Sequence, residues 1–167
     1  RKADKSHGEP DDTVKPEKFA DSITADHSIL SEAEMSRKGY RVALIIQDRY
    51  THWLQGYASK TKSAEDTAKG FQRFLGPKIK PEYTYTDNSK EFLKAMDDLG
   101  FCHDTSTPYR PQTNGVAERA VRRVKEGTSC ALLQSGFYLE WWPEAMMCYC
   151  FLANATSKLQ DGFTAYQ

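Results

Sequence analysis

The sequence predicts an α/β fold, a five-stranded mixed sheet flanked by helices, on three observations. The stretch "YRVALIIQDRY" (40–50) holds a continuous apolar run, the pattern of a strand buried on both faces. The segment that follows, "THWLQGYASK" (51–60), lies close enough to be its antiparallel neighbour. Further on, short strand-like segments alternate with amphipathic helical ones, as they do where helices cover a sheet.

Taken in order, residues 1–17, "RKADKSHGEPDDTVKPE", carry both charge signs and two prolines and read as a linker or extended arm. A core domain is expected over 18–160. In "KFADSITADHSIL" (18–30), Ile23 and Ala25 fall on one side and Ser22, Thr24 and Asp26 on the other, so it reads as a strand with Asp26 near its end. "SEAEMSRKG" is a polar connection to the apolar strand and its neighbour. "KSAEDTAKGFQRFLG" (62–76) is an amphipathic helix with Ser63 as N-cap, and Gly76-Pro77 ends it. "PEYTYTDNSKEF" gives a short strand closing at Asp87, "SKEFLKAMDDLG" a helix stopped by Gly100, and "FCHDTSTP" another short strand. A loop with two prolines leads into a long helix from about Thr113 to Gln134. "YLEWWPEAMMCYCFLANAT" (138–156) is broadly apolar, so it is expected to be buried or at an interface, with Trp141, Trp142, Met146 and Met147 as core or dimer contacts. Residues 161–167 read as a truncated C-terminal extension, and a chain opening on Arg1 reads as a piece of a longer protein.

The chain carries 23 basic and 23 acidic residues, which argues against wrapping nucleic acid with the whole surface but allows a local basic face. Cys102, Cys130, Cys148 and Cys150 form no Cys-x-x-Cys pair, so neither a zinc site nor a disulfide framework is expected. Reduced, buried thiols and an intracellular setting are expected instead. No apolar run approaches the roughly 20 residues of a membrane span.

Three carboxylates stand at similar places: Asp26 by the end of a strand, Asp87 at a strand-to-helix junction, and Glu118 in the first turn of the long helix. Strand ends and a helix start converge at the edge where open α/β sheets gather their ligands. Clustered carboxylates repel, and the partner that stabilises them is a hard divalent ion. Two such ions about 4 Å apart activate the attacking oxygen and stabilise the leaving one in phosphoryl transfer. Each acid also has a plain explanation. Asp87-Asn88-Ser89 fits a helix cap, Glu118 suits the positive end of a helix dipole, and Asp26 competes with Asp21 and Asp48. His27, next to Asp26, is a poor ligand for so hard an ion.

"YTDNSKEF" and "TPYRPQTNGVAERAVRRVKEG" resemble the second and third signature blocks of retroviral and retrotransposon integrase catalytic cores. The family's forms are a strand ending T-D-N-G and a loop P-x-x-P-Q-x-x-G followed by V-x-E. "WWPEAM" with "FLANAT", and the closing "DGFTAY", are similar to the family's last helix and its end, so the resemblance spans about 20–160. It implies an RNase H-like fold and an acidic triad of Asp26, Asp87 and Glu118, with Asp26 taken because it lies in the strand before "VALII". Two departures stand out: Ser89 replaces the family's glycine, and the 30 residues between Asp87 and Glu118 are fewer than is typical. The expected shortening falls between Phe92 and Thr105.

The implied activity is 3′-end processing and strand transfer of element DNA into target DNA. It would use two Mg²⁺ (or Mn²⁺) ions, in a homo-oligomer, in the nucleus or a virus-like particle. A domesticated non-catalytic DNA-binding or assembly module, or an RNase H-like nuclease, is the alternative.

On a helix, Arg122 lies about 40° and Lys125 about 20° from Glu118, so the three share a stripe. Val121, Val124, Ala131 and Leu132 occupy another arc, expected to face the sheet. By itself the basic stripe fits a solvated face; with the resemblance, it is expected to meet DNA phosphates, with Arg119 and Arg123 serving flanking backbone. Tyr109, Gln112 and Asn114 then belong to a loop that positions DNA, stiffened by Pro108 and Pro111 and hinged at Asn114-Gly115.

Overall fold

A computed structural model of the chain describes residues 15–105, 111–159 and 161–167. Five strands form one sheet: β1 (Ser22–Ile29), β2 (Val42–Asp48), β3 (Leu54–Ser59), β4 (Tyr83–Thr86) and β5 (His103–Thr105). Their order is β3-β2-β1-β4-β5. The hairpin strands β1, β2 and β3 pair antiparallel, while β4 runs parallel to β1 and β5 parallel to β4. The helices are α1 (Ala64–Leu75), α2 (Lys90–Leu99), α3 (Pro111–Ser135) and α4 (Trp142–Thr156).

Every residue of β2 is buried, and the two-residue repeat of a strand explains how. Leu44 and Ile46 face a core built with Phe71, Phe74 and Leu75 of α1 and Phe92, Ala95 and Met96 of α2. Ala43 and Ile45 face a second core with Ala120, Val124 and Leu132 of α3 and Trp142, Met146 and Cys150 of α4. The continuous apolar run is thus two alternating sets serving two layers of helix. Each large side chain so buried contributes roughly 1.5–3 kcal/mol.

The caps follow their residue types. The Ser63 hydroxyl accepts from Asp66 N at the start of α1, and Gly100 takes the left-handed conformation that ends α2. β3 lies at a sheet edge, and α4 covers it, with Met146 packed against Gly56 and one side chain hydrogen-bonded to the strand backbone. Asn154, buried, donates to Leu54 O at 2.8 Å and accepts from Leu54 N at 2.9 Å. Helices α3 and α4 approach so closely at Gly127 that a methyl group there would overlap the Tyr149 ring. Residues at the C-terminus fold back onto this layer: Lys158 bridges Thr164, and Tyr166 N donates to Asn154 O.

Several expectations are corrected. α3 starts at Pro111, two residues earlier than expected, since proline has the φ of a first helical residue and no N–H to satisfy. Gln112 and the Asn114-Gly115 pair are therefore helical rather than parts of a hinged loop. The buried stripe of α3 is Ala117, Ala120, Val124 and Leu132, whereas Val121 and Ala131 are only half-buried. Only Cys150 is buried, and burial pushes its thiol up to about 12; Cys102, Cys130 and Cys148 are exposed. Cys148 and Cys150 sit on opposite sides of α4 because two residues turn a helix by about 200°. For the same reason α4 is not buried all round, and Met147, Phe151 and Leu152 face outward.

Candidate active site

Asp26 stands in the middle of β1, not near its end, opposite Ile45 of β2. β4 stops short of it: β4 pairs with β1 only along Ser22–Thr24. Carrying that parallel register two residues past Thr24 and Tyr85 sets Asp26 beside Asp87, on the face that α3 covers. Neighbouring strands lie about 4.8 Å apart, so the two aspartates belong to one small region. Asp87, half-buried, follows the last residue of β4, and its Oδ1 accepts from Ser89 N at 3.2 Å. The cap of α2 is Ser89 rather than Asp87 or Asn88.

Glu118 projects from α3 between the buried Ala117 and Ala120 and is exposed. Its charge still reaches Asp26. Burial raises the Asp26 carboxyl above its ordinary value, and the charges of Asp87 and, more weakly, Glu118 raise it further. Opposing them are the His27 N–H, which donates to Asp26 Oδ1 at 2.7 Å, and the ammonium of Lys62. Among the described residues, no three His, Cys, Asp or Glu side chains stand close enough to hold one ion together. What the fold brings together is Asp26 with Asp87 and, more weakly, with the charge of Glu118. Such an all-oxygen, mutually repelling set suits a hard divalent cation, which would relieve the unfavourable charge on Asp26.

The competing residues are engaged elsewhere. Asp48 has no exposed surface and binds the N–H of Ala20 at 2.8 Å and the N–H and hydroxyl of Thr51, each at 2.7 Å. It fixes the β2–β3 turn. Asp21 accepts from the N–H groups of Glu17 and Lys18. His27 points to the opposite face, as the strand repeat requires. Its ring stacks on Phe92 at 4.3 Å and its Nε2 meets Thr67 Oγ1 at 3.1 Å. Burial, then the Lys62 charge, lowers it to about 4, so it is a neutral core residue at pH 7.

Of the expected DNA-binding residues, Arg119, Arg122 and Lys125 are exposed on α3. Lys125 also lines a cavity of about 120 Å³ with Glu34. Tyr109 lies outside the described residues, as do the side chains of Gln112 and Asn114 and the arm over 1–14. Sequence reasoning missed Lys62, whose charge favours ionised Asp26 and whose Nζ is 3.9 Å from Glu91 Oε2. No local pattern marked it, because its partners come from β1 and α2. It also missed Arg49, whose guanidinium lies 5.6 Å above the Tyr85 ring.

No protein-family model matches the chain. It is 30% identical over 158 residues to the retrovirus-related Pol polyprotein from transposon RE2 of Arabidopsis thaliana, covering 90% of this chain and 11% of that protein. The chain spans about a tenth of the length of the curated relatives it matches. Among solved structures it superposes on the catalytic core domain of BIV integrase with a TM-score of 0.65 at 17% identity, covering 88% of this chain and 91% of that one. It also superposes on the HTLV-2 integrase catalytic core, solved in complex with magnesium in a trimeric form, with a TM-score of 0.64 at 19% identity over 89% and 95% of the two chains.

Proposed function

We propose that this chain, a relative of Pol polyproteins with the fold of integrase catalytic cores, is itself the catalytic core of an integrase from a retrotransposon or retrovirus-like element. Its reaction would be hydrolysis near a 3′ end of element DNA, followed by attack of that 3′-OH on a phosphodiester of target DNA. The observation that supports this most is the half-buried Asp26, whose carboxyl feels the charges of Asp87 and, more weakly, Glu118, brought from far apart in sequence.

In this proposal Asp26, Asp87 and Glu118 hold two Mg²⁺ (or Mn²⁺) ions. When bound, such ions stabilise the attacking and leaving oxygens of an in-line displacement at phosphorus. Asp26 stands on β1 and Asp87 directly follows β4, its neighbour in the sheet, so the two are carried close to one another. Glu118 is carried by a separate helix and completes the set by turning its exposed side chain toward them. Arg122 and Lys125 neutralise phosphates of the incoming strand. Tyr109, Gln112 and Asn114 position the DNA ends. No protein nucleophile is needed, because water and the DNA 3′-OH are the attacking groups. A homo-oligomer belongs to the same proposal, with the outward Met147, Phe151 and Leu152 of α4 as suitable contacts. So does a setting in the nucleus or a virus-like particle.

Replacing Glu118 with Gln keeps the shape and removes the charge. Strand transfer and nicking of an oligonucleotide matching the element's end, assayed with Mg²⁺, should fall to background while the circular dichroism spectrum and melting temperature are kept. A folded Glu118→Gln chain with full activity would refute the assignment.

A further inference from the structure

On the flank of α3 turned toward the β2–β3 turn there is a cleft of about 330 Å³. Its polar lining is Gln47 and Arg49 from β2 and just beyond it, His52 from the turn, and Arg119 and Arg123 from α3. Three guanidinium groups thus share one small opening. Among the described residues, none of the three has a carboxylate within ion-pair distance. In a chain with equal numbers of acids and bases, such a concentration of unneutralised charge is not an average outcome.

The groups are also held in place. Arg123 Nε donates to Tyr149 Oη at 3.2 Å and its Nη2 to Ser157 Oγ at 3.1 Å, both neutral acceptors on and beyond α4. Arg49 rests over the Tyr85 ring. The Arg119 guanidinium folds back over Gly115, its Nη1 only 3.3 Å from where a β-carbon would stand. Fixed guanidinium groups keep their charge at any working pH, lose less side-chain entropy on binding, and match phosphate oxygens with paired N–H donors. Gln47, nearly buried at the cleft's floor, adds an amide.

We propose that this cleft is a binding site for a backbone phosphate of DNA, held by Arg49, Arg119 and Arg123 with His52 at its rim. It is distinct from the stripe of Glu118, Arg122 and Lys125: Arg119 lies about 100° and Arg123 about 140° around the helix from Glu118. Arg49 links the two regions, because Tyr85 is two residues before Asp87 in the same strand end. A strand whose phosphate lies at the acids is therefore gripped a second time on the other side of α3. The inference rests on the integrase reading for its choice of DNA as ligand, but not on catalysis.

The test is binding of a fluorescent 20-base-pair duplex to the full chain in EDTA, by anisotropy across a salt series. For the double variant Arg49→Gln/Arg123→Gln, affinity at low salt should fall about tenfold or more. The slope of log K against log salt should shrink by roughly one to two, about 0.9 for each lost phosphate contact. The charge-keeping pair Arg49→Lys/Arg123→Lys, melting like the unaltered chain, should restore most of that slope. Unchanged affinity and slope in the folded Gln pair would overturn the proposal, and so would a Lys pair that binds no better than the Gln pair. Competition by inorganic phosphate at concentrations that leave ionic strength equal, with no preference for the duplex, would also overturn it in favour of a free-anion site. The integrase reading fails separately, if the unaltered chain binds the duplex through this cleft and yet never cuts or joins it with Mg²⁺.

Discussion

Burial and the charges of Asp87 and Glu118 hold the Asp26 carboxyl above its ordinary value of 3.8, the reverse of the usual ion-paired aspartate. Between that value and the raised one, the native state binds more protons than the unfolded chain. Stability therefore declines as pH rises through this window and stays lower above it. The substitution Asp26→Asn removes the charge and keeps an oxygen for the His27 N–H. In metal-free buffer at pH 7 the variant should melt at a higher temperature than the unaltered chain. Well below pH 3.8, where both states are protonated, the difference should vanish; a lower melting point for Asp26→Asn at pH 7 would contradict it. Such a residue is destabilising alone, as a group reserved for a cation is expected to be. Asp48 shows the contrast. It is more buried, and its oxygens are taken by Ala20 and Thr51, so it stabilises a turn and has nothing to offer an ion.

At the level of elements, α3 does three jobs with three faces. Ala117, Ala120, Val124 and Leu132 seal one side of the sheet. Glu118 adds its charge to the surroundings of Asp26, and Arg119 and Arg123 line the cleft on the other flank. Its position depends on α4, which meets it at Gly127. The Tyr149 ring fills the space a side chain would need, and its hydroxyl is tied to Arg123. Helix propensity alone favours Gly127→Ala by about 1 kcal/mol. Overpacking against a tethered ring opposes it by about 1–3 kcal/mol. We expect packing to win, so that urea unfolding finds Gly127→Ala less stable by up to about 2 kcal/mol. A variant as stable as its parent would show that the ring moves aside freely. Pro111 and Gly115 are both turn-formers by composition, which is why the sequence pattern places the start of α3 two residues later than the structure does. A proline in the first turn is nonetheless compatible with a helix, and the packing of Ala117 and Ala120 decides the matter.

Across the whole molecule, the sheet gathers charges that the sequence keeps far apart, and a divalent ion is the natural test of that gathering. In buffer of constant ionic strength, Mg²⁺ at ten times its Kd should stabilise the fold by about 1.4 kcal/mol, read as a rise in melting temperature. The double substitution Asp26→Asn/Asp87→Asn should abolish the rise, and Na⁺ at matched ionic strength should not produce it. An equal rise in the double variant would place the ion elsewhere.

The order of strands and helices, the two-sided burial of β2 and the segments around Asp87 and Glu118 are legible in the sequence. These are local patterns, written in adjacent residues at the repeat of a strand or a helix. Tertiary packing set the rest: the β1–β4 pairing ends before Asp26, His27 faces a core, and Asp48 fixes a turn. It alone brought Lys62 into the field of Asp26, exposed three cysteines of four, and set Arg49 against Arg119 and Arg123. The physical reason is the same in each case. Burial, charge and ion binding depend on what stands across a few ångströms of space, and the chain brings those neighbours from segments up to a hundred residues apart, as Leu54 and Asn154 show.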